Sequence, residues 1–355
     1  MTTAARLIAT LDASFVLHWP GRRLLMRRDD AEAVAYDLDE LLAGRGEAVR
    51  FPAPWPGVCT VSPQRDVAVF AGVHALRAVE PDGTVRWEVR HGCWDAGCRE
   101  MHTSYEEYAD DRGHRYPDSG SLVFSPDGAL LWAHIRGPVA HAGELDPEAC
   151  DEWLVLDAAD GRVLGRADAM TVAAGSDHVQ HPDPGQMGLS VGEGQDGVLL
   201  RWGRWDGEQL TVECVGDDDR VLIAVSPSGD RMLTVTHYQE ALALHRVGDG
   251  EVLAELEAEG TLPAHPDADP EGEPDELRWD YECGFLDDDT VIAGTAEYDE
   301  EFGAVRHWLV DAARMRTIGQ VDYPFPISAA PRALGDGTWY TLTEDGDALH
   351  LWTLG

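Results

Sequence analysis

The sequence predicts an all-β protein, folded as a single β-propeller of about seven four-stranded blades. Three observations predict this fold. Tight-turn residues recur along the 355-residue chain at spacings of about 43 to 63 residues. Apolar residues between the turns alternate with a period of two, which is the period of a β-strand. Finally, the chain begins and ends on strand-like segments that each lack partners nearby in the sequence.

Seven turns share one pattern, in which an apolar run is followed by Pro, Gly, Asp or Ser residues and then by a second apolar run. Their spacing fits one four-stranded blade plus insertions of variable length. The turns lie at residues 20–21, 62–64, 125–128, 181–185, 226–229, 287–289 and 335–337.

The blade around the turn at residues 226–229 shows the expected four strands most clearly. Its apolar residues form four short alternating runs: Val221, Ile223 and Val225; Leu233 and Val235; Leu242 and Leu244; Ala254 and Leu256. Only residues 38–43, which Gly44 follows, predict a helical turn.

The two ends of the chain complement each other. Residues 348–352 have the pattern of a third strand, and the chain stops before a fourth. Residues 6–11 have the pattern of a fourth strand, and no blade precedes them. Pairing the two would complete the C-terminal blade, close the ring and remove two exposed sheet edges. We therefore expect residues 1–355 to form one domain.

Several turn and strand-end motifs are shared with a known group of propellers. They are Phe124-Ser125-Pro126-Asp127-Gly128, Val225-Ser226-Pro227-Ser228-Gly229, Leu351-Trp352 and Trp205-Asp206. On these motifs the sequence resembles the WD-repeat-like β-propeller superfamily over nearly its whole length. The Gly-His dipeptide and the regular Trp-Asp ending of strict WD repeats are mostly missing. The resemblance implies a ring-shaped scaffold of a kind usually used for protein binding.

The formal net charge is −39. The sequence contains 27 arginines and no lysine. The absence of lysine excludes Schiff-base chemistry and a P-loop lysine. A field this negative repels phosphate backbones and anionic lipids, so we expect neither nucleic acid nor membrane partners. The sequence has no signal-peptide pattern and no apolar run near the ~18 residues of a membrane span. We therefore expect a cytoplasmic protein whose six cysteines are thiols.

The longest connections all follow the second or fourth strand of a predicted blade, with insertions near residues 91–119, 135–152 and 260–280. In a propeller these two kinds of loop emerge on the same face, so the insertions should surround one mouth of the central channel. Many histidines map to these loops or to strand ends beside them. They are His74, His91, His102, His114, His134, His141, His178, His237 and His265.

The first insertion carries soft metal-ligand types at close spacing. Sulfur and imidazole nitrogen are ligands that Zn, Cu or Fe prefer. The spacing matches no zinc-finger pattern, and an ordinary surface loop or a redox-active thiol pair stays open as an alternative. The candidate ligands are His91, Cys93, Cys98, His102 and His114. In contrast, Cys59, Cys214 and Cys283 lie in predicted strands and are expected in the core.

Residues 188–197 match the nucleophile-elbow and dinucleotide-binding patterns. Both motifs require a helix immediately afterwards, and residues 198–202 have the pattern of a strand. Neither motif is therefore expected to operate.

Two functions follow from these observations, and the sequence leaves open whether the protein is an enzyme. The first is an intracellular scaffold that binds a protein or peptide through the loop-rich face. The alternative is a metal-dependent enzyme with His and Cys residues at the channel mouth, where His134, His178 and His237 are candidate bases. The candidate partner-binding anchors are Trp94, Tyr105, Tyr108, Tyr116 and Trp279.

We predict no binding to duplex DNA or RNA at physiological salt, because a net charge of −39 repels the phosphate backbone. A fluorescence anisotropy titration with labelled duplexes measures this. Salt-sensitive affinity in the micromolar range would contradict the prediction.

Overall fold

The computed structural model describes most of the chain, and its regular structure is almost entirely β. The described residues are 2–95, 98, 100–111, 114, 120–143, 150–194, 197–216, 219–266, 277–296 and 305–355. They form two compact units, one comprising Phe15–Cys214 and the other comprising Met1–Ser14 with Val215–Gly355. Strand β1 (Thr2–Asp12) belongs to the second of these units.

The Phe15–Cys214 unit contains four antiparallel sheets of four strands, each with its strands in chain order. The first is β2 (Phe15–Trp19), β3 (Arg22–Arg28), β4 (Glu32–Asp37) and β5 (Val49–Pro52), with helix α1 (Leu38–Leu42) after β4. The second is β6 (Cys59–Val61), β7 (Ala68–Ala71), β8 (Ala75–Val79) and β9 (Val85–Arg90). The third is β10 (Ser121–Phe124), β11 (Leu130–Arg136), β12 (Asp151–Asp157) and β13 (Val163–Asp168). The fourth is β14 (Ser176–Gln180), β15 (Gln186–Gly192), β16 (Val198–Trp205) and β17 (Leu210–Cys214). A 3₁₀ helix, Tyr105–Glu107, lies between β9 and β10.

The other unit contains one four-stranded and one eight-stranded sheet. The four-stranded sheet is β18 (Arg220–Val225), β19 (Arg231–Thr236), β20 (Ala241–Arg246) and β21 (Val252–Glu257). The eight-stranded sheet contains β22 (Trp279–Phe285), β23 (Thr290–Thr295), β24 (His307–Asp311) and β25 (Arg316–Asp322), then β1 and β28 (Ala348–Leu354), β27 (Thr338–Leu342) and β26 (Arg332–Ala333). It therefore consists of two blades of four strands, and the described residues form seven blades in all.

Strand β1 joins the last two blades. Its main part pairs antiparallel with β28, from Ala5 opposite Leu354 to Asp12 opposite Ala348. The prediction that the N-terminal strand completes the C-terminal blade is thus confirmed. The first residues of β1 also pair in parallel with β25, where Thr2 lies opposite Gln320. This second pairing was not expected from the sequence, and it merges the two blades into one sheet.

All seven predicted turns connect the first and second strands of a blade. In the third blade, the Ser125 hydroxyl accepts a hydrogen bond from Leu130 N at 3.0 Å and donates to Asp127 Oδ1 at 2.6 Å. Gly128 has φ 74°, which an L side chain rarely adopts. The turn residues that gave the repeat pattern therefore fix the chain reversals directly.

Tryptophan rings fill the spaces between sheets. Ten of the twelve tryptophans are no more than 7% exposed. The indole N–H of Trp87 donates to Ala158 O in the next sheet at 3.0 Å, and that of Trp279 donates to Leu256 O at 3.0 Å. Trp279 is 0% exposed, so its predicted role as a partner anchor is corrected: it belongs to the core.

Two of the three cysteines that were expected in the core are buried. Cys59 and Cys283 are buried, and burial raises the pKa of the Cys59 thiol to about 11. Cys214 is exposed instead, because it is the last residue of an outer strand whose residues are mostly accessible.

Residues 188–192 of the segment that matches the elbow and dinucleotide motifs lie in β15, and β16 begins at Val198; residues 195–196 lie outside the described residues. A strand therefore follows, as expected, and neither motif has its helix. Across the described residues, no helix has the length and apolar character that crossing a bilayer requires.

We predict that Leu7→Asp lowers the free energy of unfolding by about 2 kcal/mol or more, because it places a charge against an apolar cluster. Ile8→Asp is the matched control, since Ile8 lies on the accessible face of the same strand at 37% exposure. Urea denaturation of both variants measures the difference. Equal stability of the two would show that β1 is not packed as described.

Candidate functional site

The long loops of the Phe15–Cys214 unit contact one another. His91 forms an isolated antiparallel bridge with Val139 in the loop between β11 and β12. Gly120 N donates to Ala174 O, in the loop before β14, at 3.1 Å. Three insertions are therefore joined by backbone hydrogen bonds. We call residues 91–120, 137–150 and 169–175, as far as the structure describes them, the loop layer.

Four side chains of the first insertion converge on one point. One ligand atom from each of Cys93, Cys98, His102 and His114 lies within 4.8 Å of all the others. Cys98 Sγ is 3.5 Å from His102 Nε2 and 3.1 Å from His114 Nε2. Two sulfurs and two imidazole nitrogens in this arrangement are a ligand set typical of tetrahedral metal sites.

Carboxylates orient both histidines of the cluster. His102 Nδ1 lies 3.1 Å from Glu107 Oε2, and His114 Nδ1 lies 3.0 Å from Asp111 Oδ2. A carboxylate on Nδ1 fixes the proton there, so each Nε2 keeps a lone pair on the side of Cys98; His114 Nε2 also lies 3.8 Å from Asp95 Oδ2.

The first cysteine is the more enclosed of the two. Cys93 Sγ accepts a hydrogen bond from Asp95 N at 3.4 Å. Burial raises the pKa of the Cys93 thiol to about 12, and the adjacent Cys98 adds to the effect. The Cys93 thiol is therefore protonated unless a cation compensates its charge.

His91 lies apart from this cluster, which corrects the predicted set of five ligands. Its ring is buried, and its Nδ1 lies 2.7 Å from the carbonyl oxygen of Gly92. Burial lowers the pKa of His91 to about 4, so it is a neutral side chain inside the loop layer.

Tyr108 attaches the cluster to the second blade. It is 4% exposed, and its ring stacks on His114 with centroids 5.2 Å apart. Its hydroxyl lies 2.5 Å from Nδ1 of His74, which is buried between β7 and β8. The predicted role of Tyr108 as a partner anchor is therefore corrected, because its ring faces the interior.

Two of the three candidate bases belong to one hydrogen-bonded chain. Trp153 Nε1 donates to His178 Nε2 at 2.9 Å, so the proton of His178 is on Nδ1, which faces Ser121 Oγ at 2.8 Å. Ser121 Oγ is 2.7 Å from Ser176 Oγ, and Ser176 Oγ is 2.9 Å from His134 Nδ1. Both ring nitrogens of His178 are thus used within the fold.

The third candidate base, His237, belongs to the other unit. Its backbone carbonyl accepts a hydrogen bond from Tyr281 Oη at 2.5 Å, and its ring packs against Tyr238. The structure therefore does not bring the three histidines together in one unit.

The remaining predicted anchors have different positions. Trp94 is half-buried and contacts His134, with ring centroids 5.5 Å apart. Tyr105 is half-buried against the apolar core of the first three blades. Tyr116 lies outside the described residues.

Sequence reasoning missed Arg201. Its side chain is 1% exposed and donates from Nε to Ala169 O at 3.0 Å and from Nη2 to Met170 O. Arginine at an apolar strand position was the available signal, since arginine is rarely buried without partners.

Buried neutral histidines should make the protein sensitive to acid. Burial lowers the pKa of His134 and His178 to about 3, so below pH 6.5 the unfolded state binds more protons. Their contribution to stability is complete above pH 6.5 and is lost as the pH falls toward 3. We predict that unfolding at pH 5.5 costs about 1.4 kcal/mol less per histidine than at pH 7.5.

Urea denaturation at the two pH values measures this difference. His178→Asn should shrink it, and the control His141→Asn should leave it unchanged, because His141 is exposed and asparagine tolerates its φ of 64°. An unaltered pH dependence in His178→Asn would contradict the assignment.

Two solved structures share this architecture over nearly their whole length, and a third shares it over part of its length. The structure of U3-55K is similar to this chain with a TM-score of 0.56 and 11% identity, and the match covers 99% of this chain and 98% of that chain. The WD40 repeats of RRP9 have TM-score 0.55 and 12% identity, with 100% and 99% covered. Dihydro-heme d1 dehydrogenase NirN, in complex with DHE, has TM-score 0.50 and 14% identity, with 94% of this chain and 57% of that chain covered.

No family model matches the sequence, and no curated protein is similar to it at a significant level. At 11 to 14% identity the likeness to the solved structures concerns the fold. The chain has the seven-bladed β-propeller fold of WD40 proteins.

Proposed function

We propose that this protein is a β-propeller scaffold that binds a protein or peptide segment through the loop layer of the Phe15–Cys214 unit. The observation that carries the proposal is the segment around Met170 and Val172. It presents two large apolar side chains to solvent on a loop whose backbone accepts hydrogen bonds from a buried arginine.

Buried hydrogen bonds hold this segment. Arg201 donates to two consecutive carbonyl groups of it, and Met170 N donates to Asp168 Oδ1 at 2.7 Å. Ala169 N also donates to Asp151 O at 3.0 Å. Hydrogen bonds to a charged group contribute about 1.5–3 kcal/mol each, so the buried guanidinium is a strong constraint on the loop.

The exposure of Met170 and Val172 and the backbone conformation of Met170 lower the stability of the folded protein. Met170 is 41% exposed at φ 53°, and Val172 is 67% exposed. A non-glycine residue in the left-handed region costs about 1 kcal/mol or more. A hydrogen-bonded loop that exposes apolar side chains at this cost is typical of a surface that is covered by a partner.

Acidic residues flank the segment and indicate the charge of the partner. Asp151 itself is buried and pairs with Arg136 at 2.7 Å, but the carboxylates of Glu193 and Asp168 lie near enough to act with burial against that arginine in raising the pKa of Asp151 to about 6. The whole chain carries a net charge of −39. Charge complementarity therefore favours a partner segment that combines apolar side chains with arginine or lysine.

The enzyme alternative has less support. The Cys and His cluster already offers four ligands, and a catalytic metal site keeps one position open for water or substrate. His178 has both nitrogens engaged and a pKa lowered by burial to about 3, which is unsuited to a base near neutral pH.

We predict that random peptides selected on the immobilised full-length protein are rich in arginine or lysine beside an aliphatic or aromatic residue. Val172→Asp should weaken their binding at least about tenfold, because the apolar contact is lost and like charge is added. Binding should also weaken as ionic strength rises.

The matched control is Val252→Asp, since Val252 is 45% exposed on strand β21 and lies outside the loop layer. Isothermal titration with one selected peptide compares the three proteins. Equal affinity for wild type and Val172→Asp would place the binding surface elsewhere and overturn the proposal.

A further inference from the structure

We propose that Cys93, Cys98, His102 and His114 bind one Zn²⁺ ion in a closed tetrahedral site, which fastens the first insertion to the second blade. This inference is independent of the proposed partner-binding function. It rests on the distances between the ligand atoms, on the groups that orient them and on the contacts of Tyr108.

The spacing of the ligand atoms fits zinc. Zinc bonds of about 2.3 Å to sulfur and 2.0–2.1 Å to nitrogen, at the tetrahedral angle, separate a sulfur from a nitrogen by about 3.5 Å. The two sulfur–nitrogen distances at Cys98 are 3.5 and 3.1 Å. All four atoms lie within 4.8 Å of one another, so small adjustments suffice to surround one ion.

Polar groups around the cluster orient the histidine ligands and stabilise a thiolate. Glu107 and Asp111 each face the Nδ1 atom of a ligand histidine, which leaves Nε2 for the metal. Such carboxylates increase the basicity of the imidazole and are a regular part of histidine–zinc sites. Asp95 N points at Cys93 Sγ and stabilises a thiolate there.

The ligand set favours zinc over copper(II). Two thiolates and two imidazoles in a tetrahedral arrangement suit Zn²⁺, whereas copper(II) prefers a tetragonal set. The four protein ligands occupy every tetrahedral position, so the site belongs to the structural class and leaves no position for a substrate.

The ion would close the insertion on itself. Cys93 lies near the start of the insertion, close to the end of β9, and His114 lies 21 residues later along the chain. Closing such a loop has an entropic cost that a metal bond offsets. Because the Tyr108 ring stacks on His114 and its hydroxyl contacts His74, the closed insertion is fastened to the blade beneath it.

Elemental analysis of the full-length protein tests the proposal. Protein reconstituted with Zn²⁺ and dialysed against a mild chelator should retain about one zinc per chain, as expected for a four-ligand site. Cys98→Ser should lose most of this zinc. Cys214→Ser is the matched control, since Cys214 is exposed at the end of β17, and it should retain the wild-type amount.

Two measurements do not depend on the folding of a cysteine variant. Wild-type protein loaded with Co²⁺ should show the strong visible bands and the sulfur-to-cobalt charge transfer of a tetrahedral thiolate site. Glu107→Gln keeps all four ligands and should lower zinc affinity about 10- to 100-fold in competition with a chromophoric chelator.

Limited proteolysis examines the fastening role. Removing zinc with a strong chelator should open cleavage sites within residues 91–120 before any blade is cleaved. Equal zinc in Cys98→Ser and Cys214→Ser, or no zinc retained by reconstituted wild type, would overturn the metal site. Proteolysis that is unchanged by zinc removal would overturn the fastening role.

Discussion

Indole rings fill the gaps between neighbouring sheets and determine how far apart those sheets can lie. Within each unit neighbouring sheets pack face to face, so the gap between two such sheets must be filled evenly along its length. A Cβ atom at Gly203 would lie 2.8 to 2.9 Å from the rings of Trp132 and Trp153, closer than atoms pack. Large rings therefore face positions without side chains, and this complementarity sets the spacing of the sheets. Because the blades are fixed this way, their connecting loops are free to lengthen.

The sequence predicts the features that depend on local residues. Turn chemistry and alternation identify the blades, because a residue such as Ser125 forms its hydrogen bonds within five positions along the chain. The complementary ends of the chain predict the pairing of β1 with β28. The parallel pairing of β1 with β25 escapes prediction, since it involves three residues of each strand and leaves no pattern.

The sequence predicts which residue types form the candidate site, but not the orientation of their side chains. Spacing selects the ligand-rich insertion, yet it does not reveal where each side chain points. His91 contacts the backbone instead of the cluster, and Trp279 and Tyr108 are buried although they are aromatic residues of the kind used as anchors. No sequence motif identifies Arg201, because its role depends on two carbonyl groups about 31 residues away along the chain.

A polar insertion has too few apolar residues to fold by burial alone, so it needs stronger local contacts. The loop layer has two kinds. In one segment a buried guanidinium holds consecutive carbonyl groups, and in another four soft ligands surround one point. The guanidinium is one positive charge and the proposed Zn²⁺ would be a second, in a chain whose 66 acidic and 27 basic side chains attract cations. The same excess of acid that we expect to repel nucleic acid would favour the proposed cation inside the insertion and a basic partner over the surface that Arg201 holds in place.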